Sequence, residues 1–137
     1  MAIQPYLFFE GRAEEAAEFY RGALGAKVEI MRYKDAPDPP PADKVPPGSG
    51  NKVMHMSVQI GDSTIMGSDG MCSGKPSFQG FSLSITPRDE ADADRVFAAL
   101  SKGGQVQMPL GKTFFSPRFG MLTDKFGVGW MVYVEPK

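Results

Sequence analysis

Apolar and polar positions along this chain trace the same succession of segments twice. An apolar stretch, Ile3 to Phe9, gives way after Gly11 to Ala13, Ala16, Ala17, Tyr20, Ala23 and Leu24. That is the i, i+3, i+4, i+7 spacing of an amphipathic helix. Gly25 stands where a left-handed C-cap closes such a helix. Lys27 to Tyr33 alternates as a half-exposed strand. Val53 to Ile60 alternates more regularly, with Met54, Met56, Val58 and Ile60 on one face and Val53, His55, Ser57 and Gln59 on the other. Gly61-Asp62 predicts a tight turn into a strand over Ser63 to Ser68.

A second apolar stretch, Phe81 to Ile85, starts the scheme again. Thr86 is expected as a helix N-cap with Pro87 at the first helical position, the helix running to Leu100 before Gly103-Gly104. Strands are expected over Gln105 to Leu110, Phe114 to Leu122 and Val128 to Val134. The repeat predicts two copies of a βαβββ unit, each too small to bury a core alone. The expected organisation is a first module over 1–69, a linker over 70–78 and a second module over 79–137.

Composition changes this picture in a few places. Six prolines between Asp35 and Gly50 exclude a helix or a central strand there, so 35–50 reads as a long excursion inside the first module. It is expected to act as a lid, an interaction loop or a mobile surface loop. A net charge of −1 with scattered Lys and Arg gives no case for nucleic acid or an anionic membrane surface. The start Met1-Ala2-Ile3-Gln4-Pro5 is not a signal peptide, and a single cysteine suits a reducing compartment, so the expected location is cytoplasmic. Nine methionines suit an irregular core or a pocket for varied apolar ligands.

The paired modules, the helix end Phe19-Tyr20-Arg21-Gly22-Ala23-Leu24-Gly25-Ala26, and the turn Asp124-Lys125-Phe126-Gly127 followed by Trp130 resemble the vicinal oxygen chelate superfamily. That group includes glyoxalase I, extradiol dioxygenases, and fosfomycin- and bleomycin-resistance proteins. Ser68-Asp69, Met71, Ser73-Gly74-Lys75, Phe81, and Thr123 to Val128 with Trp130-Met131 resemble its PhnB-like branch, often labelled demethylubiquinone-methyltransferase-like. The resemblance implies an α+β, glyoxalase-like fold. In it two paired βαβββ modules form a curled, cup-shaped mixed sheet with helices on the outer face. It also implies a homodimer, and a metal held by side chains from the first strand of each module and the last strand of the second.

In this sequence those metal positions fall on Pro5, Gly80 and Met131. Proline and glycine offer no side-chain donor, and a thioether suits soft metals such as Cu(I). A different site would have to draw on His55, Cys72 and carboxylates such as Glu10 or Asp69, without any recognised metal-ligand spacing. No metal and no cofactor are therefore expected. Neither helix start, Gly11-Arg12-Ala13-Glu14 or Thr86-Pro87-Arg88-Asp89, carries the Gly-rich loop of a nucleotide-type methyl donor site.

If one set of strand faces packs on the helices, alternation assigns the opposite set to a ligand. His55 and Tyr133 are the catalytic candidates, and Leu7, Phe9, Ser57, Met66, Ser82, Arg118 and Met131 the ligand-binding ones. His55 reads either as a general base or ligand donor, since an imidazole titrates near neutrality, or as an ordinary strand residue. Tyr133 offers a phenol to an oxyanion, or simply fills its strand. Arg118 offers a carboxylate or phosphate clamp, or a solvated charge. Cys72 reads as an inert thiol unless Lys75 stabilises its thiolate. Asp124 and Phe126 are expected to set a turn and Trp130 to anchor the core. The expected function is small-molecule binding without the superfamily's metal, the partners being a small organic ligand and a second copy of the chain. The alternatives are a metal-independent enzyme with His55 as base and a metal-dependent glyoxalase- or dioxygenase-type enzyme.

Overall fold

A computed structural model describes residues 1–36, 48 and 50–137, arranged as two compact units, Met1–Pro76 and Ser77–Lys137. Each unit is a βαβββ module. The first runs β1 (Tyr6–Phe8), α1 (Ala13–Leu24), β2 (Lys27–Arg32), β3 (Val53–Ile60) and β4 (Ser63–Ser68). The second runs β5 (Leu83–Ile85), α2 (Glu90–Ser101), β6 (Gln105–Gly111), β7 (Phe119–Thr123) and β8 (Gly129–Tyr133). The sheets have equivalent strand orders, β1-β4-β3-β2 and β5-β8-β7-β6, with one parallel pair each, β1 with β4 and β5 with β8. This is an α+β, glyoxalase-like arrangement. No helix among the described residues is long and apolar enough to cross a membrane.

In the first unit α1 buries Ala13, Ala16, Ala17, Tyr20 and Ala23. Four of these five are alanines, so the helix lies close to the sheet, and Tyr20 reaches the Phe9 ring at 6.4 Å between centroids. Gly25, at φ 65°, ends the helix as a left-handed cap whose N–H donates to Arg21 O. The opposite end has no local cap, because Arg12 makes no side-chain capping bond. Asp69 supplies it from β4's end: its Oδ1 accepts from Ala13 N at 2.8 Å, while Oδ2 accepts from Val53 N at 2.7 Å. The proline-rich excursion expected over 35–50 lies, apart from its two ends, outside the described residues. Lys34 N donates to Gly50 O at 3.0 Å across its base.

In the second unit α2 starts later than the sequence suggested. Asp89, not Thr86, is the N-cap, and Pro87 is buried ahead of the helix. Asp89 Oδ1 accepts from Asp92 N at 2.8 Å and Asp92 Oδ2 accepts from Arg88 N at 3.3 Å. This reciprocal pair satisfies two N-terminal donors, which Thr86 with a following proline cannot do. The strand expected over Phe114 to Leu122 is also shorter. Thr113 N donates to Ser116 O, and the buried Ser116 hydroxyl lies 2.6 Å from Val134 O, which holds residues 112–118 as a loop before β7.

Glycines in β4 and β7 make room for the core. A side-chain carbon at Gly120 would come within 2.7 Å of the Phe97 ring of α2 and 3.0 Å of Leu110 Cα. Gly120→Ala is expected to lower stability by about 1–3 kcal/mol through overpacking, measured as a lowered urea midpoint with an unchanged slope.

Candidate functional site

Strand register decides which side chains lie opposite the helices, since directly paired residues share a face. In the first sheet Leu7 pairs with Gly67, Gly67 with Met56 and Met56 with Ile30; Leu7 and Met56 are buried in the core under α1. The alternate row, Tyr6, Met66, Ser57 and Glu29, occupies the other face. Two expectations are thereby overturned. Leu7 and Phe9, assigned to a ligand, are 3% and 0% exposed and belong to the helix-facing core. Tyr6 and Phe8 take their place on the open face. The reason is that β1 is apolar on both faces, so alternation carries no signal for its orientation. Val53 departs from its predicted face as well. The register shifts between Met31 and Arg32, and Val53 is turned into the core at 1% exposure.

His55, Ser57 and Met66 do lie on the open face. His55 pairs with Met31 across β2, and its ring stands 5.7 Å from Tyr6, which is 5.1 Å from Phe8. Further along the same face a cleft of about 310 Å³ is lined by Lys27, Glu29, Ser57, Gln59 and Thr64. The first sheet thus offers aromatic rings at one end and charged or hydrogen-bonding groups at the other.

In the second sheet Trp130, Val132 and Leu122 are buried against α2's side; of the alternate set Met121, Thr123, Gly129, Met131 and Tyr133 are half-buried, while Phe119 is buried. Ser84 pairs with Met131, Met131 with Met121 and Met121 with Met108, a row across all four strands. Beside it Tyr133 pairs with Phe119, and Phe115 from the 112–118 loop stacks on Tyr133 at 6.2 Å and edge-on to Phe119 at 5.0 Å. Ser82 Oγ overhangs Gly129, where a side-chain carbon would approach it to 2.9 Å. The structure therefore gathers Ser82, Met131 and Tyr133 on one face and adds Met108, Met121, Phe115 and Phe119. No single-strand pattern could align the methionines, because their alignment is a matter of register between strands.

Arg118 is not presented on that face as a free clamp: its Nε lies 3.2 Å from Asp94 Oδ1 on α2. The metal implied by the superfamily does not fit the donors present. Pro5, Gly80 and Met131 offer no hard ligand, and the alternative carboxylates are engaged. Both Asp69 oxygens hold backbone N–H groups, and Glu10 Oε1 accepts from Ser73 N at 3.3 Å. Among the described residues no group of three or more His, Cys, Asp or Glu is arranged to hold a metal ion.

Burial, and then the Asp69 carboxylate, push the Cys72 thiol above its ordinary range, with Lys52 opposing. Cys72 is therefore expected to alkylate with iodoacetamide more slowly than a free cysteine at pH 8 in the folded protein, and at the free rate after unfolding. Mass spectrometry against time checks this.

Residues 1–133 match the family described as 3-demethylubiquinone-9 3-methyltransferase. Protein YjdN of Escherichia coli strain K12 is 37% identical over 142 residues, spanning 98% of this chain and 95% of its own. The crystal structure of PA1353 from Pseudomonas aeruginosa, at 38% identity, has a TM-score of 0.84 and covers 100% of this chain and 99% of its own. A structure of the PhnB protein from Bacillus cereus, at 33% identity, has a TM-score of 0.78 over 98% and 99% of the two chains. A member of the glyoxalase/bleomycin resistance protein/dioxygenase superfamily from Sphaerobacter thermophilus, at 18% identity and TM-score 0.58 over 98% of each chain, shares the fold alone.

Proposed function

We propose that this chain, which belongs to the 3-demethylubiquinone-9 3-methyltransferase family of PhnB-like proteins, binds a small organic molecule on the helix-free faces of its sheets. The observation that carries this reading is the set of rings left outside the core. Tyr6 and Phe8 are 36% and 54% exposed beside His55, on a strand whose alternate residues are fully packed. Aromatic surface next to a few hydrogen-bonding groups is the usual lining of a ligand site. In this reading His55 and Ser57 hydrogen-bond a ligand on the first sheet with Met66 as an apolar wall, and on the second sheet Met131 offers an apolar wall and Tyr133 and Ser82 offer hydroxyls. The protein works as a cytoplasmic homodimer and needs no metal, since the superfamily's ligand positions hold Pro5, Gly80 and Met131. The methyl transfer in the family's description is not part of the reading. The α1 start follows Glu10-Gly11-Arg12 and the α2 start is capped by Asp89, so neither forms a Gly-rich cradle.

The test is a small-molecule screen by thermal shift, followed by calorimetry on hits. His55→Ala is expected to weaken the best hit about tenfold, the worth of one hydrogen bond to a partly buried group, at an unchanged melting temperature. Equal affinity in wild type, His55→Ala and Tyr6→Ala would remove the site from this face. Turnover of a hit that disappears in His55→Ala would make the protein an enzyme rather than a binding module.

A further inference from the structure

We infer that the second unit's methionine row, Met131 on β8, Met121 on β7 and Met108 on β6, binds a soft monovalent metal ion of the Cu(I) class. The inference goes beyond the small-molecule reading and does not rest on it, since the ion is a ligand of the row and not a cofactor for that reading. Met131 pairs directly with Met121, and Met121 with Met108, so the three share one face on adjacent strands. The fold does not require this. In the first unit the equivalent row across β4, β3 and β2 is Met66, Ser57 and Glu29. One copy thus carries a thioether, a hydroxyl and a carboxylate where the other carries three thioethers. Nor is the row part of the helix-facing core: Met121 and Met131 are half-buried and Met108 is 43% exposed.

Directly paired Cβ atoms stand about 5 Å apart. Each sulfur lies two bonds beyond its Cβ on a flexible chain, so the outer two can lean over Met121 and gather three sulfurs around one centre. Thioethers are soft donors that select Cu(I) over the oxygen-loving Mg(II) and Ca(II) and over the imidazole-suited Zn(II). Their neutrality favours a singly charged ion too, which gives up less hydration than a divalent one when no donor supplies a counter-charge. β6 pairs only with β7, so Met108 leaves the row open at the sheet edge, where an ion can enter. The superfamily's metal draws on the first strand of each module and the last strand of the second. This row shares only the Met131 position with it, and Met121 and Met108 lie on strands that metal does not use. No proton competes for a thioether, so binding is insensitive to acid, unlike binding at His55 or Cys72.

The experiment titrates the full chain, carrying Cys72→Ser to remove the competing thiol, with Ag(I) and, under argon, with Cu(I) as its acetonitrile complex. Methionine methyls labelled with 13C report the site by NMR, assigned by Met108→Leu, Met121→Leu and Met131→Leu. The expected result is saturation at a single equivalent, the three row methyls moving together and ahead of the exposed Met31 and Met71. Each leucine variant, close to methionine in volume, is expected to weaken binding at least about tenfold while the Met56 methyl stays native. Affinity at about pH 5.5 is expected to lie within about twofold of that at about pH 7.5, and Zn(II) is expected to leave the row unmoved. Row methyls that titrate separately, with the affinity of Met71, behave as three lone thioethers and overturn the inference. An affinity unchanged in Met121→Leu overturns it, as does the absence of any response. Loss of binding in acid assigns the ion to His55 and overturns the location, and an equal response to Zn(II) overturns the class. None of these outcomes touches the organic-ligand screen, whose hits are judged by His55→Ala and Tyr6→Ala.

Discussion

Asp124→Ala is expected to cost about 3–5 kcal/mol, enough to leave the second unit marginal, because it strands three donors in the core. Asp124 is 3% exposed. Its Oδ1 accepts from Phe126 N at 2.9 Å and Val128 N at 3.1 Å, and its Oδ2 accepts from the Trp130 indole N–H at 2.9 Å. The carboxylate thus closes the β7–β8 turn and pins the largest side chain of β8 in one step. Alanine leaves each buried N–H without a partner, at roughly 1–3 kcal/mol apiece before relaxation. Asn keeps Oδ1 for the turn but points an amide N–H₂ at the indole, so Asp124→Asn should fall between wild type and alanine. Trp130 is the chain's only tryptophan, which makes its fluorescence a direct reporter. Urea unfolding followed by Trp130 emission should show a markedly lowered midpoint for alanine and a smaller shift for asparagine. A midpoint within about 0.5 kcal/mol of wild type would mean that water replaces the carboxylate, and the pinning argument would fail.

Asp69→Ala should cost about 2–4 kcal/mol in the first unit. One of its two bonds replaces the missing N-cap of α1, typically worth about 1 kcal/mol. The other satisfies the buried Val53 N–H, whose loss adds roughly 1–3 kcal/mol. The carboxylate also places a negative charge at the positive end of the helix, alongside Glu14 and Glu15. Hydrogen exchange should show lost protection at Ala13 and Val53, with the Phe126 and Val128 amides of the second unit unchanged. Asp69→Asn, which retains one acceptor, is expected to protect one of the two amides. Unaltered exchange at both positions would rule out the cross-chain cap.

Neither aspartate's full role could be read from the linear pattern. Asp124 sits within a few residues of all its partners, and the spacing Asp124-Lys125-Phe126-Gly127 already marks a turn, but nothing local says that the second oxygen reaches Trp130. Asp69 is 56 positions from Ala13, so to a sequence reader it looks like a loop carboxylate and even a metal candidate. The helices and hairpins were legible where an amphipathic period ran unbroken: Val53–Ile60 and Ser63–Ser68 emerge with the expected bounds. Boundaries failed where two signals competed. Thr86-Pro87 gives way to Asp89 because Asp92 completes a reciprocal cap, and Phe114-Phe115 has the pattern of a strand because exposed aromatics mimic one.

Of the candidate site, Ser57, Met66, His55, Ser82, Met131 and Tyr133 come out on helix-free faces, whereas Leu7 and Phe9 are core and Arg118 is tied to Asp94. The division has one physical cause. The sequence by itself determined the repeat, the βαβββ order of each copy and the absence of hard metal donors at Pro5, Gly80 and Met131, because periodicity and side-chain chemistry are local properties. Only the tertiary structure decided which way β1 faces, which carboxylate caps α1 and that Met108, Met121 and Met131 stand in one row. Those are questions of register and approach between segments distant in sequence. A shift of a single residue turns every side chain of a strand to the opposite face.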